Sequence, residues 1–263
     1  MKGGWLGIVL LGAWAGVATA GPVSAVSIEI VAPDGRGFRE IPVESRDGAL
    51  RSYLQAERGA RYQVRVRNTS GERLGLVIAV DGRNIINGRK SELGRDEPMY
   101  VIDAGDAQDY AGWRASLDAI NEFYFTDWKD SYSEAFGDRS ARGVIAVAVY
   151  REVPPPPPRV ARPYREDEGN RPADAAAAPA EKSAGTSRRD ESVGTGYGDR
   201  RADPVREVRF VAQTNADSRH FIKYEWRDTL CRRRVIDCGE TNRFWDESTL
   251  GFAPPPPRRA GQD

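Results

Sequence analysis

The sequence predicts an all-β protein, a β-sandwich or jelly-roll-like domain. Two observations carry this prediction. Short β-branched or alternating runs recur between Gly, Asp and Asn residues, and residues 62–67 alternate between apolar and polar side chains, the period expected of a sheet with one solvated face. The dipeptide Asp81-Gly82, typical of tight hairpin turns, separates the apolar run 74–80 from residues 84–86.

Each predicted strand is bounded by turn residues. The strands are expected at residues 27–31, 62–67, 74–80, 84–86, 99–102, 121–126 and 143–150, with turns at 68–71 and 87–88. Residues 48–57 have the composition of a helix or turn instead. Repeated short strands with this punctuation favour two packed sheets.

Composition divides the chain further. Residues 26–152 form the predicted β-sandwich domain, and residues 153–204 are rich in Pro, Arg and Ala with few large apolar side chains, which predicts a disordered linker. Residues 205–252 regain aromatic and β-branched residues and are expected to form a β-hairpin and a short helix that dock on an open edge or face of the sandwich. Residues 253–263 are a proline-rich tail.

The N-terminus has the layout of a secretory signal peptide covering residues 1–25. Lys2 precedes an apolar run at 5–17, and Ala18-Thr19-Ala20 is a small-residue cleavage site. A second such site at Val23-Ser24-Ala25 leaves the cut open between the positions before Gly21 and before Val26. The run is shorter than the roughly 20 residues that span a bilayer, so we expect no transmembrane anchor and a periplasmic or secreted protein.

Charge and cysteine content limit the classes of partner. The chain carries 39 basic and 39 acidic residues, and this balance gives no general electrostatic reason to bind nucleic acid. Cys231 and Cys238 are expected to form a disulfide in an oxidising compartment, which requires a helix beginning near Asp228 or Thr229 to end before Cys238. Their spacing matches no zinc motif, and we expect no cofactor.

One set of motifs resembles a family of uncharacterised exported bacterial proteins. The motifs are the run 79–84 (Ala-Val-Asp-Gly-Arg-Asn), Gly112-Trp113-Arg114, residues 123–126, Asp130-Ser131-Tyr132 and Gly143-Val144-Ile145. The resemblance covers about residues 60–152 and implies no activity. Residues 194–198 and 224–227 resemble a C-terminal element of some members, which suggests that the two ordered parts belong together.

Candidate ligand-binding residues combine flat aromatic faces with polar groups, as in surfaces that bind glycan or peptide. They are Trp113, Arg114, Tyr124, Trp128, Asp130 and Tyr132. The alternative, which we favour, is that these aromatic residues complete the core and its rim.

Other chemistry has less support in the sequence. Asp103, Asp106 and Asp109 recur every three residues and could bind Ca²⁺, but a solvated turn is favoured because the EF-hand ligand order is missing. His220 is the only histidine and has no nucleophile motif beside it, so a surface histidine is favoured over a catalytic one.

The expected function is that of a non-enzymatic exported protein that binds or scaffolds another envelope component, either protein or glycan. One alternative is a periplasmic glycan hydrolase with an Asp/Glu pair, which a cleft containing a carboxyl group of raised pKa would favour. Another is that the proline tracts are extended ligands for a partner protein.

Overall fold

The computed structural model describes residues 24–45, 47–154 and 192–238, and it confirms the predicted all-β sandwich. Fourteen strands follow one another along these residues: β1 (Val26–Val31), β2 (Glu40–Val43), β3 (Leu50–Ala56), β4 (Arg61–Asn68), β5 (Leu74–Val80), β6 (Arg83–Asn84), β7 (Tyr100–Ile102), β8 (Ala107–Tyr110), β9 (Gly112–Ser116), β10 (Ala119–Asp127), β11 (Val144–Arg151), β12 (Val193–Thr195), β13 (Arg200–Ala202) and β14 (Ser218–Trp226). A 3-10 turn (Trp128–Asp130) and the helices α1 (Tyr132–Ala135) and α2 (Arg227–Arg232) complete the regular structure. In the part of the chain that is described, no helix is long and apolar enough to cross a membrane.

The first sheet is organised around β4 and β10. Strand β1 pairs with β4 along its whole length, and β4 pairs with β10 only at Tyr62↔Phe123 and Arg61↔Tyr124. Where β4 and β10 are no longer paired, β8 continues along β4 and β9 along β10. Strands β12 and β13 pair with the other edge of β10.

The second sheet has the order β2-β3-β14-β11-β5, with β6 and β7 pairing with opposite ends of β5. Strand β14 lies between β3, to which it is parallel, and β11, to which it is antiparallel. The C-terminal segment was expected to dock on an edge or face. This expectation is confirmed, because β14 pairs with the edges that β3 and β11 leave open, and it thereby becomes an interior strand whose backbone pairs on both sides.

The core lies between the two sheets and is dominated by stacked aromatic rings. Tyr62 stacks on Phe123 and Phe125, with ring centroids 5.2 and 4.3 Å apart, and Tyr224 packs on Phe125 from the opposite sheet at 5.2 Å. All four side chains are essentially inaccessible to water. Burial of this aromatic area stabilises the packing of the two sheets against each other, together with the buried aliphatic side chains of both sheets.

Three predictions from the sequence differ from the structure: the conformation of residues 48–57, the C-terminal end of the linker, and the hairpin at 205–226. Residues 48–57 form a strand rather than a helix or turn, because β3 completes the hydrogen bonding of β14. The predicted linker 153–204 is too long at its C-terminal end, since β12 and β13 belong to the first sheet. Most of that predicted linker, 155–191, lies outside the described residues, as do the signal segment before residue 24 and the tail at 253–263.

The hairpin predicted for 205–226 is also only half correct. Strand β14 is present, whereas residues 203–217 form no strand and contain one isolated bridge, Glu152↔Ala212. Residues 203 and 205 hydrogen-bond to the first sheet, and residues 211–217 hydrogen-bond to the end of β11 and the residues after it, so the segment connects the two sheets. Helix α2 follows β14 as expected, and the Cys231–Cys238 disulfide is confirmed, with the two Cα atoms 5.6 Å apart. The chain folds back at Arg234, which has a positive φ of 56°.

Candidate functional site

The predicted aromatic candidates do not form one surface. Trp113, on β9, is 2% exposed and packs edge-on to Phe123 inside the sandwich, where its Nε1 donates a hydrogen bond to the carbonyl oxygen of Gly196 at 3.1 Å. Trp128 is 3% exposed, its Nε1 donates to Glu134, and the Arg142 guanidinium lies over its ring. Both tryptophans are therefore buried, and neither offers a free aromatic face.

Arg114 has a structural contact instead of a free guanidinium. Its Nε donates to the Tyr100 hydroxyl at 3.0 Å, Nη1 to the Asp203 carbonyl oxygen at 2.6 Å and Nη2 to the Asp203 carboxylate at 3.0 Å. Burial alone would lower the pKa of Arg114, but these acceptors outweigh it and raise the pKa. Arg114 thus fixes residue 203 to the sandwich.

Tyr124 and Asp130 lie apart from the other candidates. Tyr124 is half-buried under Gly196, where an added Cβ would lie 2.1 Å from the ring. Asp130 is exposed and lies 4.0 Å from Lys129. Neither converges with Arg114.

Tyr132 is the one candidate that reaches an open aromatic surface. Its ring packs on the buried Trp113 at 4.4 Å, on Tyr197 at 5.3 Å and on Phe136 at 5.0 Å. Tyr197 and Phe136 are 49% and 58% exposed. We name Tyr132, Phe136 and Tyr197 the aromatic patch. Two members of the patch were not among the predicted candidates, because Tyr197 lies in the predicted linker and Phe136 lies outside every predicted strand and motif.

The proposed calcium ligands are already occupied by protein groups. Asp109 forms a two-bond ion pair with Arg65 at 2.8 Å, Asp103 lies 3.5 Å from Arg73, and Asp106 accepts the backbone N–H of Ala107. Among residues 24–45, 47–154 and 192–238, no group of three or more His, Cys, Asp or Glu side chains is arranged to hold a metal ion. These contacts give no support to the calcium hypothesis, and the solvated turn stays the favoured prediction.

His220 is not a surface histidine, contrary to the sequence expectation. It is 8% exposed on the inner face of β14, and its Nε2 lies 3.0 Å from the Ser24 hydroxyl and 3.3 Å from that of Ser218. Burial lowers the pKa of His220 to about 4. The imidazole is consequently neutral at physiological pH.

A buried polar network lies at the centre of the fold. Asp81 accepts hydrogen bonds from the backbone of Gly143 at 2.7 Å, the backbone of Thr195 at 2.8 Å and the Tyr224 hydroxyl at 2.6 Å. Since that hydroxyl donates to Asp81, it accepts from the Thr195 hydroxyl, which in turn accepts from Tyr62, each at 2.7 Å. Burial raises the pKa of Asp81 to about 6, against the opposing effect of these hydrogen bonds. The network joins both sheets but is closed to solvent, so it has no access for a substrate.

A groove of about 1560 Å³ lies beside β7. One wall is formed by residues 203–212, which we name the strap. Its first end is held by backbone hydrogen bonds from Asp203 to Asp118 and from Val205 to Leu117, at 2.8 and 2.7 Å. Its second end is held by the bond from Val153 to Val211 at 2.7 Å. The strap therefore bridges the first sheet and the second over an open side of the sandwich, and we name the space beneath it the strap groove.

The middle of the strap makes few contacts. Residues 206–209 are exposed, and among the described residues none of them has a backbone–backbone hydrogen bond; Arg73 donates weakly to the Arg209 carbonyl at 3.4 Å. Phe210 packs toward Gly75, where an added Cβ would lie 2.6 Å from its ring. Facing the strap, β7 is hydrogen-bonded only to β5, and Tyr100 and Val101 line the groove. Two backbone segments with groups that lack a backbone partner thus border the strap groove.

Four carboxylates of the strap groove are held by positive or polar groups. Asp103, Asp109 and Asp203 are paired with Arg73, Arg65 and Arg114. Burial alone would raise the pKa of Glu97, but hydrogen bonds from Gly94, Ser91, Asn84 and Glu92 outweigh it and lower the pKa. Within the described ranges the two carboxyl groups of raised pKa are Asp81 in the core and Glu40, raised chiefly by burial, on β2, and neither lines the groove.

Comparison with family models, curated proteins and solved structures gave no match. The resemblance to exported bacterial proteins therefore stays a prediction, and the function has to be argued from geometry.

Proposed function

We propose that the protein is a non-enzymatic, exported envelope protein whose strap groove binds an extended polypeptide segment of a partner. The observation that carries the proposal is that, among the described residues, β7 has β5 as its one strand partner and residues 206–210, across the groove from it, have no backbone–backbone hydrogen bond. Exposed strand edges are templates for pairing with another chain, and added strands are a common mode of peptide recognition.

The size and lining of the groove support a peptide over a small molecule. About 1560 Å³ exceeds the 300–1,000 Å³ typical of small-ligand sites. Tyr100, Met99 and Phe210 give it an apolar surface, whereas Arg206, Glu207 and Arg209 at the strap make its rim charged. An apolar centre with a polar rim is the usual anatomy of a protein interface.

Hydrolysis is the weaker alternative. A glycosidase needs one protonated carboxyl group and a second carboxylate across a cleft. Asp103, Asp109 and Asp203 in the strap groove are ion-paired and the pKa of Glu97 is lowered, which supports binding over acid catalysis.

The test uses a displayed library of random linear 12-residue peptides as the probe. Selected peptides should lose at least tenfold in affinity when alternate backbone amides are N-methylated, because strand addition depends on those N–H groups. They should also bind Val208→Glu more weakly than wild type, since Val208 lies at the middle of the strap and is 46% exposed.

The matched control is Val43→Glu, which places the same charge at a 40% exposed position on β2, away from the groove. Peptides that tolerate N-methylation, or that distinguish neither variant from wild type, would contradict binding by strand addition in the groove.

A second candidate function, glycan binding, is favoured by the aromatic patch. Two exposed rings held on Tyr132 offer flat faces of the kind that sugars stack on. Purified peptidoglycan should retain wild-type protein and release Tyr197→Ala, with the exposed Leu117→Ala as the control for a general loss of apolar surface. Equal retention of both variants would rule out this patch as the glycan site.

A further inference from the structure

Ser24 and Ala25 precede β1 but are already part of the fold. The Ala25 carbonyl accepts hydrogen bonds from the Thr69 backbone N–H at 2.9 Å and from the Thr69 hydroxyl at 3.0 Å, which extends the pairing of β1 with β4 by one position. Ala25 is 8% exposed and belongs to the hydrophobic core cluster.

Ser24 connects the two sheets at this end of the sandwich. Its hydroxyl lies 3.0 Å from His220 Nε2 and 3.2 Å from the Ser218 hydroxyl, both on β14 of the second sheet. The same oxygen accepts the backbone N–H of Val26 at 3.3 Å. A residue that continues the first sheet therefore supplies a polar partner to a buried imidazole of the second.

The two predicted cleavage sites differ in what they leave behind. A cut before Gly21 keeps Ser24 and Ala25, whereas a cut before Val26 removes both. The second cut would leave the Thr69 N–H and hydroxyl without their acceptor and would expose His220 at the end of the sandwich. Loss of partners for buried polar groups is destabilising.

From these contacts we infer that the exported chain is cut before Gly21 and that residues 24 and 25 act as a clasp, a two-residue link that joins β1 and Thr69 to β14. The inference is independent of what the strap groove binds. The sequence predicts a signal peptide but leaves two processing sites open, and the contacts of Ser24 and Ala25 favour the first of them.

The first experiment is intact-mass analysis of the full chain expressed with its own leader in an exporting bacterial host. A product that begins at Gly21 is expected. A product that begins at Val26 would overturn the clasp, and a retained Met1 would overturn the processing itself.

The second experiment tests the clasp in the mature protein by comparing Ser24→Ala with Ser27→Ala. Ser27 is exposed on β1, so the same change of chemistry there serves as the control. Ser24→Ala should lower the Tm by at least about 3 °C and change the ring chemical shifts of the sole histidine, because the Ser24 hydroxyl lies 3.0 Å from its Nε2, while Ser27→Ala changes neither. Equal behaviour of the two variants would show that Ser24 is not part of a clasp.

Discussion

At the scale of single residues, burial determines the protonation state of the His220 imidazole, which the sequence alone does not reveal. The ring is neutral in the fold because its pKa is lowered to about 4 by burial. As the pH falls, His220 is protonated first in the unfolded chain, where its pKa is near 6.5. The contribution of the neutral ring to the free energy of unfolding is therefore fully present above pH 6.5 and is lost as the pH falls toward 4.

We expect an NMR titration of this only histidine to give a pKa near 4. The free energy of unfolding of wild type relative to His220→Gln should fall by about 2 kcal/mol between pH 7 and pH 4, after allowance for partial solvent screening. The comparison with His220→Gln is needed because Asp81 makes the free energy of unfolding depend on pH in the opposite direction. Its folded pKa is raised to about 6, so its contribution is lost as the pH rises through that value. A titration midpoint near 6.5 would contradict a buried ring.

Thr195 is the residue at which the buried network is most sensitive. Replacing it with valine keeps the shape but leaves the Tyr62 hydroxyl without the partner it has at 2.7 Å, whereas Tyr224 retains Asp81. We expect Thr195→Val to lower the free energy of unfolding by about 1–3 kcal/mol, the cost of an unsatisfied buried hydroxyl.

Denaturant unfolding would measure this effect, with Thr195→Ser as the control that keeps the hydroxyl. Adding Tyr62→Phe to Thr195→Val should cost little more, because the orphaned hydroxyl is then gone. Additive losses in the double variant would show that the two hydroxyl groups are not coupled.

At the scale of elements, close backbone contacts explain two of the glycine motifs. A Cβ on Gly112 of β9 would lie 2.3 Å from the Asn121 carbonyl oxygen of β10, and one on Gly198 would lie 2.7 Å from the Glu122 carbonyl oxygen. The paired strands cannot move apart locally without breaking their hydrogen bonds. These glycines are therefore required by packing between strands.

Gly112→Ala is expected to destabilise the protein by about 2–3 kcal/mol, because the new methyl group meets main-chain atoms. Gly71→Ala is the control, since Gly71 is exposed and has nothing within 4 Å of an added Cβ. Its effect should stay within about 0.5 kcal/mol. Thermal unfolding of both variants measures the difference, and equal melting temperatures would mean that β9 and β10 approach less closely than described.

At the scale of the whole molecule, the C-terminal segment completes the sandwich. Strand β14 supplies the only link between the β2-β3 pair and the rest of the second sheet within the described residues, and Tyr224 contributes to the core from this strand. Strands β12 and β13 cover the edge of β10. Removal of these strands would divide one sheet and expose the core.

A chain that ends at Glu152 should therefore fail to fold cooperatively, as judged by the loss of a thermal transition and of near-ultraviolet circular dichroism. Co-expression with residues 192–238 as a separate chain should restore the transition, because the missing strands are then supplied. A stable, cooperatively folded product from the truncated chain alone would show that β14 is dispensable.

The sequence by itself determined the features that depend on neighbouring residues. Strand periodicity predicts β1, β4, β5, β7, β10 and β11. Asp81 and Gly82 have positive φ values of 49° and 82°, the conformation for which an Asp-Gly dipeptide is favoured in tight hairpin turns. The disulfide also follows from local geometry and compartment. Such signals are readable because propensity and turn conformation are set over a few residues.

Only the tertiary structure decided which strands pair and which polar groups are buried. Residues 193–202 have weak strand patterning, yet they pair with β10 because its edge and the Asp81 carboxylate need partners. Likewise, β14 pairs in parallel with β3 from more than 150 positions away, and Trp113, Trp128 and Arg114 are occupied by contacts from distant segments. Long-range pairing depends on the fit of whole surfaces, which no local pattern encodes.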